Sequence, residues 1–119
     1  MIRTTRPPIR VGIAGLGRAG LETHLPEMMQ MPELFTVMAV CDPIKERRDL
    51  VLERLPDCRT YRRYEDLLDD PDVELVDIAT RSDEHAKHAM QALKIRKWVN
   101  IERPLCCDYD EAMVLRACA

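Results

Sequence analysis

The 119-residue sequence predicts a doubly wound α/β fold, a five-stranded parallel sheet in the order 3-2-1-4-5. Three observations predict it. Short, nearly continuous apolar runs recur along the chain, as strands covered on both faces require. Segments with helical signals separate these runs, which is the alternation of a parallel sheet built with crossovers. All four glycines, Gly12, Gly15, Gly17 and Gly20, fall where the first apolar run gives way to the first helical segment, and none follows residue 20.

Ile9–Ala14 (IRVGIA) is the first strand, ending at the glycines. The helix after it meets Pro26, which lacks a backbone donor and crowds the carbonyl of Glu22, so a kink or a restart is expected there. Phe35–Cys41 (FTVMAVC) is the second strand and ends at Asp42. A helix follows from Ile44, with Val51, Leu52 and Leu55 on one stripe, Lys45 and Asp49 as an i,i+4 pair, and Pro43 and Pro56 as start and stop signals. Arg59–Tyr61 reads as a short strand and Tyr64–Leu68 as a short helix. Residues 73–80 (VELVDIAT) form the next strand. Ser82 is a good N-cap, with Asp83 and Glu84 in the first turn, and that helix carries Ala86, Ala89, Met90 and Leu93 inward. Residues 97–102 (KWVNIE) give the fifth strand, and a last helix is expected over 109–117.

Composition narrows the function. The apolar fraction is 46%, ordinary for a globular domain, and a charged fraction of 33% nearly cancels to a net −3. Basic residues scattered in a weakly acidic chain leave no nucleic-acid footprint, and the arginines at 47–48 and 62–63 read as solvated faces. No apolar run is long enough to span a membrane, and no signal-peptide pattern precedes the first strand. A cytoplasmic location is expected. The five cysteines (Cys41, Cys58, Cys106, Cys107, Cys118) are odd in number and lack CxxC spacing, so they read as reduced thiols. His85 and His88 share a helical face without an evident third ligand, so no metal is expected.

Gly15-Leu16-Gly17-Arg18-Ala19-Gly20 is a GxGxxG. The pattern alone is weak, but it follows a strand, opens a helix, and has an acidic residue, Asp42, ending the next strand 22 residues after Gly20. In that context Gly15 makes the tight turn, Gly17 lets a pyrophosphate approach the backbone, and Gly20 lets helix and strand pack closely. Helix N-terminal N–H groups then face the phosphates, with Arg18 in the first turn as an added cation. The bland reading is a tight βα turn with no ligand. A carboxylate at Asp42 accepts from a ribose 2′-OH and repels a 2′-phosphate, which favours NAD over NADP. Lys45, Arg47 and Arg48 stand close enough to soften that preference, and Asp42 also suits an N-cap before Pro43.

Taken together, Gly15 to Gly20, CDP at 41–43, DLLDDPDVELVDIAT at 66–80, His85 and ERPL at 102–105 resemble the Gfo/Idh/MocA oxidoreductases. The resemblance runs from about residue 9 to the end. It implies an N-terminal Rossmann domain that uses NAD or NADP in the oxidation or reduction of sugars, inositols and related small molecules. Such domains are followed by a second domain that supplies much of the substrate site and the oligomer interface. The expectation is therefore that residues 1–119 are the nucleotide-binding domain, stopping before a sixth strand, inactive alone and exposed to self-association at the fifth strand's edge. By the same resemblance, Thr80, Ser82 and His85 match the nicotinamide-lining loop and its helix, His85 equally suiting a packing role. Glu102 matches a glutamate lying against the nicotinamide ribose, and Arg103 occupies the family's lysine position.

That last match is a departure. A lysine can be tuned to lose its proton near neutral pH, whereas arginine effectively cannot, so Arg103 suits oxyanion stabilisation rather than acid–base work. Arg81 in place of a proline is a second departure. Arg96, about where a C-capping glycine is expected, is a third, costing on the order of 1 kcal/mol if forced into left-handed geometry. Two functions are consistent with these residues: the cofactor domain of an NAD(P)-dependent dehydrogenase of a CH–OH substrate, and a non-catalytic dinucleotide-binding regulator of the same family.

Overall fold

The structure, a computed structural model, describes residues 6–102. Five strands, β1 (Ile9–Ala14), β2 (Phe35–Cys41), β3 (Arg59–Tyr61), β4 (Leu75–Ile78) and β5 (Trp98–Ile101), form one sheet. Its order is β3-β2-β1-β4-β5 and every pairing is parallel, as the alternation predicts. The expected final helix and Arg103 lie outside the described residues.

Period-two alternation on β1 divides the core between the two faces. Val11 and Ile13 join Leu16, Leu25, Val40 and Val51 on one side, all buried. Ala14 lies with Cys41, Leu67, Val76, Ile78, Ala86 and Ala89 on the other. Between the strands run α1 (Leu25–Met29), α2 (Lys45–Arg54), α3 (Tyr64–Leu68) and α4 (His85–Lys94). In α2 only Val51 is fully buried, while Ile44 and Leu50 are exposed; the Lys45–Asp49 pair forms at 2.8 Å.

Two strands are shorter than the apolar runs that announce them, though their ladders continue. The Glu74 N–H donates to the Arg10 carbonyl at 2.9 Å and the Ala79 N–H to the Ala14 carbonyl at 2.8 Å, one residue beyond either end of β4. Similarly, the Trp98 N–H donates to the Glu74 carbonyl, and the Glu102 N–H to the Ile78 carbonyl.

The first helix restarts, as Pro26 requires, but upstream of the proline it is wider than an α-helix. Arg18–His24 is a π-helical turn, closed by the Leu25 N–H reaching back to the Gly20 carbonyl. Pro26 then sits in the first turn of α1, where its missing donor costs little. At α4, Ser82 is not the cap: Glu84 holds that position, and Ser82–Glu84 is a 3-10 turn, itself preceded by Arg81, that leads into the helix. The helix ends in a Schellman arrangement, with Lys97 N–H donating to the Ala92 carbonyl at 3.1 Å and Arg96 N–H to the Leu93 carbonyl at 3.0 Å. Arg96 has φ +63°, the one non-glycine residue at positive φ among the described residues. The strain expected there is present.

Candidate functional site

The glycine turn is built by backbone crowding. Gly15 has φ +93°, and a Cβ there would stand 2.6 Å from the Ala79 carbonyl oxygen. At Gly20 a Cβ would stand 1.9 Å from the Gly15 carbonyl oxygen. Both glycines are therefore demanded by the protein itself. Gly17 is different: a Cβ would meet nothing nearer than Arg47 Nη1 at 3.9 Å, and φ −81° suits any L-residue. Among the described residues, no packing asks for glycine at 17.

Gly17 borders a cleft of about 670 Å³ over the C-terminal ends of β1, β2 and β4. Gly15, Asp42, Arg47, Tyr64, Thr80 and His88 are among its lining residues. A cleft outside the carboxyl ends of the strands, beside β1 where the strand order reverses, is where open α/β sheets bind ligands. The helix that starts at Arg18 turns N–H groups without intrahelical partners toward the glycine turn.

Asp42 closes the β2 side. It is buried, and each carboxylate oxygen already accepts one backbone N–H: Oδ2 from Leu16 at 2.9 Å, Oδ1 from Ile44 at 2.8 Å. A carboxylate has about four acceptor sites, so two remain for a ligand hydroxyl. Asp42 thus fixes the glycine turn and the entry to α2 together. The Leu16 side chain turns into the core, so this residue acts through its N–H on Asp42. Arg47 Nη1 lies 3.5 Å from Asp42 Oδ2, and Arg48 Nη1 donates to the Asp42 carbonyl at 2.7 Å. The arginines at 47 and 62 keep solvent contact but also line the cleft, a role that their charge pattern alone does not reveal. Arg18 is exposed at the start of its helix, beside the half-buried Ala19.

On the β4 side, Thr80 is held from two directions. His85 Nε2 lies 2.6 Å from the Thr80 carbonyl oxygen, and His88 Nδ1 lies 2.9 Å from Thr80 Oγ1. His85 is buried, so its reach into the site passes through Thr80, whereas His88 lines the cleft. Tyr64 stacks on His88 with ring centroids 4.1 Å apart and donates its hydroxyl to the His88 carbonyl at 2.6 Å. Burial lowers the His88 imidazole below its ordinary value, keeping it neutral at pH 7. Ser82 is exposed beyond the cleft's lining. Sequence reasoning missed Tyr64 and His88 because the contact joins residues 24 positions apart.

Glu102 follows β5 and meets His24 Nε2 through its Oε2. His24 Nδ1 in turn lies 2.6 Å from Asp77 Oδ2 on β4. Cys41 and Cys58 are free buried thiols, and burial pushes them up to about 12 and about 11, far from the thiolate range that nucleophilic use needs. Among the described residues no cluster of side chains could hold a metal ion, and no helix is long and apolar enough to cross a membrane.

Comparison with known proteins gives the same architecture. The model of an oxidoreductase family with an NAD-binding Rossmann fold matches residues 9–119. An inositol 2-dehydrogenase of Salmonella paratyphi B is 35% identical over 98 residues, covering 82% of this chain and 29% of that protein. The inositol 2-dehydrogenase/D-chiro-inositol 3-dehydrogenase of Lactiplantibacillus plantarum is 36% identical over 106 residues, 87% of this chain and 30% of its own length. A 3-ketoreductase from Actinomadura kijaniata, solved with NADP and TDP-benzene, superposes with a TM-score of 0.85 at 31% identity. That superposition covers 94% of this chain and 34% of the ketoreductase. The chain thus spans about a third of the length of the relatives it matches.

Proposed function

The chain belongs to the Gfo/Idh/MocA oxidoreductase family, and from that premise we propose that it binds NAD(P) as the cofactor domain of a dehydrogenase acting on a polyol or sugar-like CH–OH substrate. One observation carries the binding reading. Gly15 and Gly20 are forced by backbone contacts, but Gly17 is forced by nothing among the described residues and borders the cleft. A bare backbone at that point serves a ligand. The donor set fits the dinucleotide: helix N–H groups for the pyrophosphate, two remaining acceptor positions on Asp42 for ribose hydroxyls, and Thr80 on the far side. Asp42 favours NAD, and Arg47 beside it moderates the repulsion of a 2′-phosphate. Residues 1–119 act in this reading as the nucleotide-binding unit.

When bound, the nicotinamide supplies a hydride acceptor or donor at its C4. This chain's residues bind and orient it: the adenosine on the β2 side by Asp42, the nicotinamide half on the β4–β5 side by Thr80 and Glu102. The polyol substrate class rests on the relatives named as inositol dehydrogenases. Arg103, at the family's lysine position, favours a second reading in which the dinucleotide is bound and no hydride is transferred. Calorimetric titration with NAD, NADP and ADP-ribose tests the shared claim. All three should bind, NAD tighter than NADP; absence of heat with every one of them refutes it. Screening inositols and sugars for nicotinamide reduction by a longer form that carries the expected second domain then separates the two readings: turnover excludes the regulator, and its absence excludes the dehydrogenase.

A further inference from the structure

His24 sits at the last position of the π-helical turn, where a widened turn carries one more residue than an α-helix over the same rise. Its imidazole bridges two carboxylates from different strands: Asp77 of β4 at Nδ1, 2.6 Å away, and Glu102 beyond β5 at Nε2. Asn100 Nδ2 donates to the other Asp77 oxygen at 2.7 Å, so both oxygens of a fully buried carboxylate have partners. The His24 side chain is 12% exposed and that of Glu102 40%, so the chain of contacts runs from the core to the surface. π turns concentrate at functional sites, and this one places an imidazole between two acids on the β4–β5 side of the sheet.

A dinucleotide lies across an open sheet with its adenosine half near the acid ending β2, so its other half lies over β4 and β5. Glu102 is on that side. Its backbone is held by the Ile78 carbonyl, but its carboxylate is fixed by His24.

We propose that His24 is a positioning residue for the nicotinamide half of the site: bridging Asp77 and Glu102, it ties the end of β5 to the helix that follows the glycine turn. The proposal rests on the dinucleotide reading. Both ring nitrogens face carboxylate oxygens, so both must carry protons for the bridge to be complete, which makes the imidazolium the working form. The charged groups facing it are Asp77 from β4 and Glu102 just past β5. Burial opposes the charge, but the two carboxylates outweigh it and hold the imidazole above its ordinary value. The bridge is therefore complete while the imidazole is charged and both carboxylates are ionised. It opens as pH rises through the raised imidazole value. It loosens again at acid pH, where burial makes Asp77 take up a proton more readily than an ordinary carboxylate.

The test compares NADH with ADP, which lacks both the nicotinamide and its ribose, on the full chain. His24→Gln can donate to one carboxylate only. It should weaken NADH about tenfold, the order of one charge-assisted hydrogen bond, and leave ADP within about twofold. The wild-type protein gives a readout that needs no variant. The ratio of NADH to ADP affinity should fall with rising pH, in step with the His24 imidazole followed by NMR. Equal losses for both ligands, loss for neither, or a flat ratio while His24 titrates would overturn the proposal and leave dinucleotide binding standing. Wild-type protein that binds neither ligand would overturn both.

Discussion

Replacing Gly17 with alanine separates the two tasks of the glycine turn. A Cβ at 17 meets nothing closer than 3.9 Å among the described residues, and the backbone there is extended with negative φ. The folded state therefore loses nothing, while alanine restricts the unfolded chain, a gain of about 0.4–1 kcal/mol at compatible positions. The same change at Gly20 puts a methyl 1.9 Å from a carbonyl oxygen, so backbone must move. Overpacking of that kind costs roughly 3 kcal/mol or more. Gly15→Ala combines a 2.6 Å contact with φ +93°, for about 2–4 kcal/mol. At 4–8 °C per kcal/mol for a domain this size, Gly20→Ala should melt at least about 12 °C below the wild type, and Gly17→Ala at or slightly above it. Binding should run the opposite way for Gly17→Ala: its methyl stands where a pyrophosphate must touch backbone, and NAD affinity should drop at least about tenfold. Scanning calorimetry and NAD titration on the three variants measure both. Wild-type NAD affinity in Gly17→Ala would refute the phosphate role of the turn, and destabilisation comparable to Gly20→Ala would refute the steric account.

Arg96→Gly removes a left-handed strain of about 1 kcal/mol and adds roughly 0.5 kcal/mol of unfolded-state freedom. The net gain should raise Tm by about 2–4 °C, and a lower Tm would contradict the strain. Asp70 is buried, which alone would raise its carboxyl, but the Asp72 N–H, the Tyr61 hydroxyl and Arg59 together hold it below the ordinary value. Its contribution is thus fully present above about pH 4 and lost as pH falls through the lowered value. Urea titrations from pH 7 to pH 3 should show wild-type stability falling more steeply than that of Asp70→Asn, which starts about 2 kcal/mol lower at pH 7. Arg47→Ala should weaken NADP about tenfold and NAD by less than about threefold, since Arg47 is the cation beside Asp42; equal losses would deny it the 2′-phosphate.

The strands, their order and the glycine turn were legible because they rest on local chemistry. Apolar runs mark strands wherever neighbours on both faces bury them, and Arg96 reads as strained because a helix must end near it. The ends of β4 were less legible: apolar text continues past Ile78, and only register decides where pairing is regular. Gly12 looks like part of the nucleotide turn but serves packing, since a Cβ there would press Val73 and Leu67 at 3.0 and 3.1 Å. The π turn left no mark, because one extra residue between Gly20 and Pro26 breaks no propensity rule. Its consequence, His24 between acids 53 and 78 residues away, is set by tertiary structure. A signal existed in Asp77, a carboxylate inside the run LVDI, where a fully buried acid demands partners.

Asp42 shows how far recognition and folding share atoms in this site. Its carboxylate reads the ribose in the proposed function, yet it also accepts from Leu16 and Ile44, and its removal leaves both N–H groups without that partner. Asp42→Ala should therefore cost about 2 kcal/mol of stability, and a lower NAD affinity alone would say little about ribose contact. The ratio of NAD to NADP affinity is free of that ambiguity, because both ligands draw on the same folded population. Losing the carboxylate removes an acceptor for the 2′-OH and a repulsion toward the 2′-phosphate, so the ratio should fall by about tenfold or more. If affinity drops while the ratio stays constant, Asp42 is a structural acceptor for the glycine turn and the choice of cofactor lies with other residues.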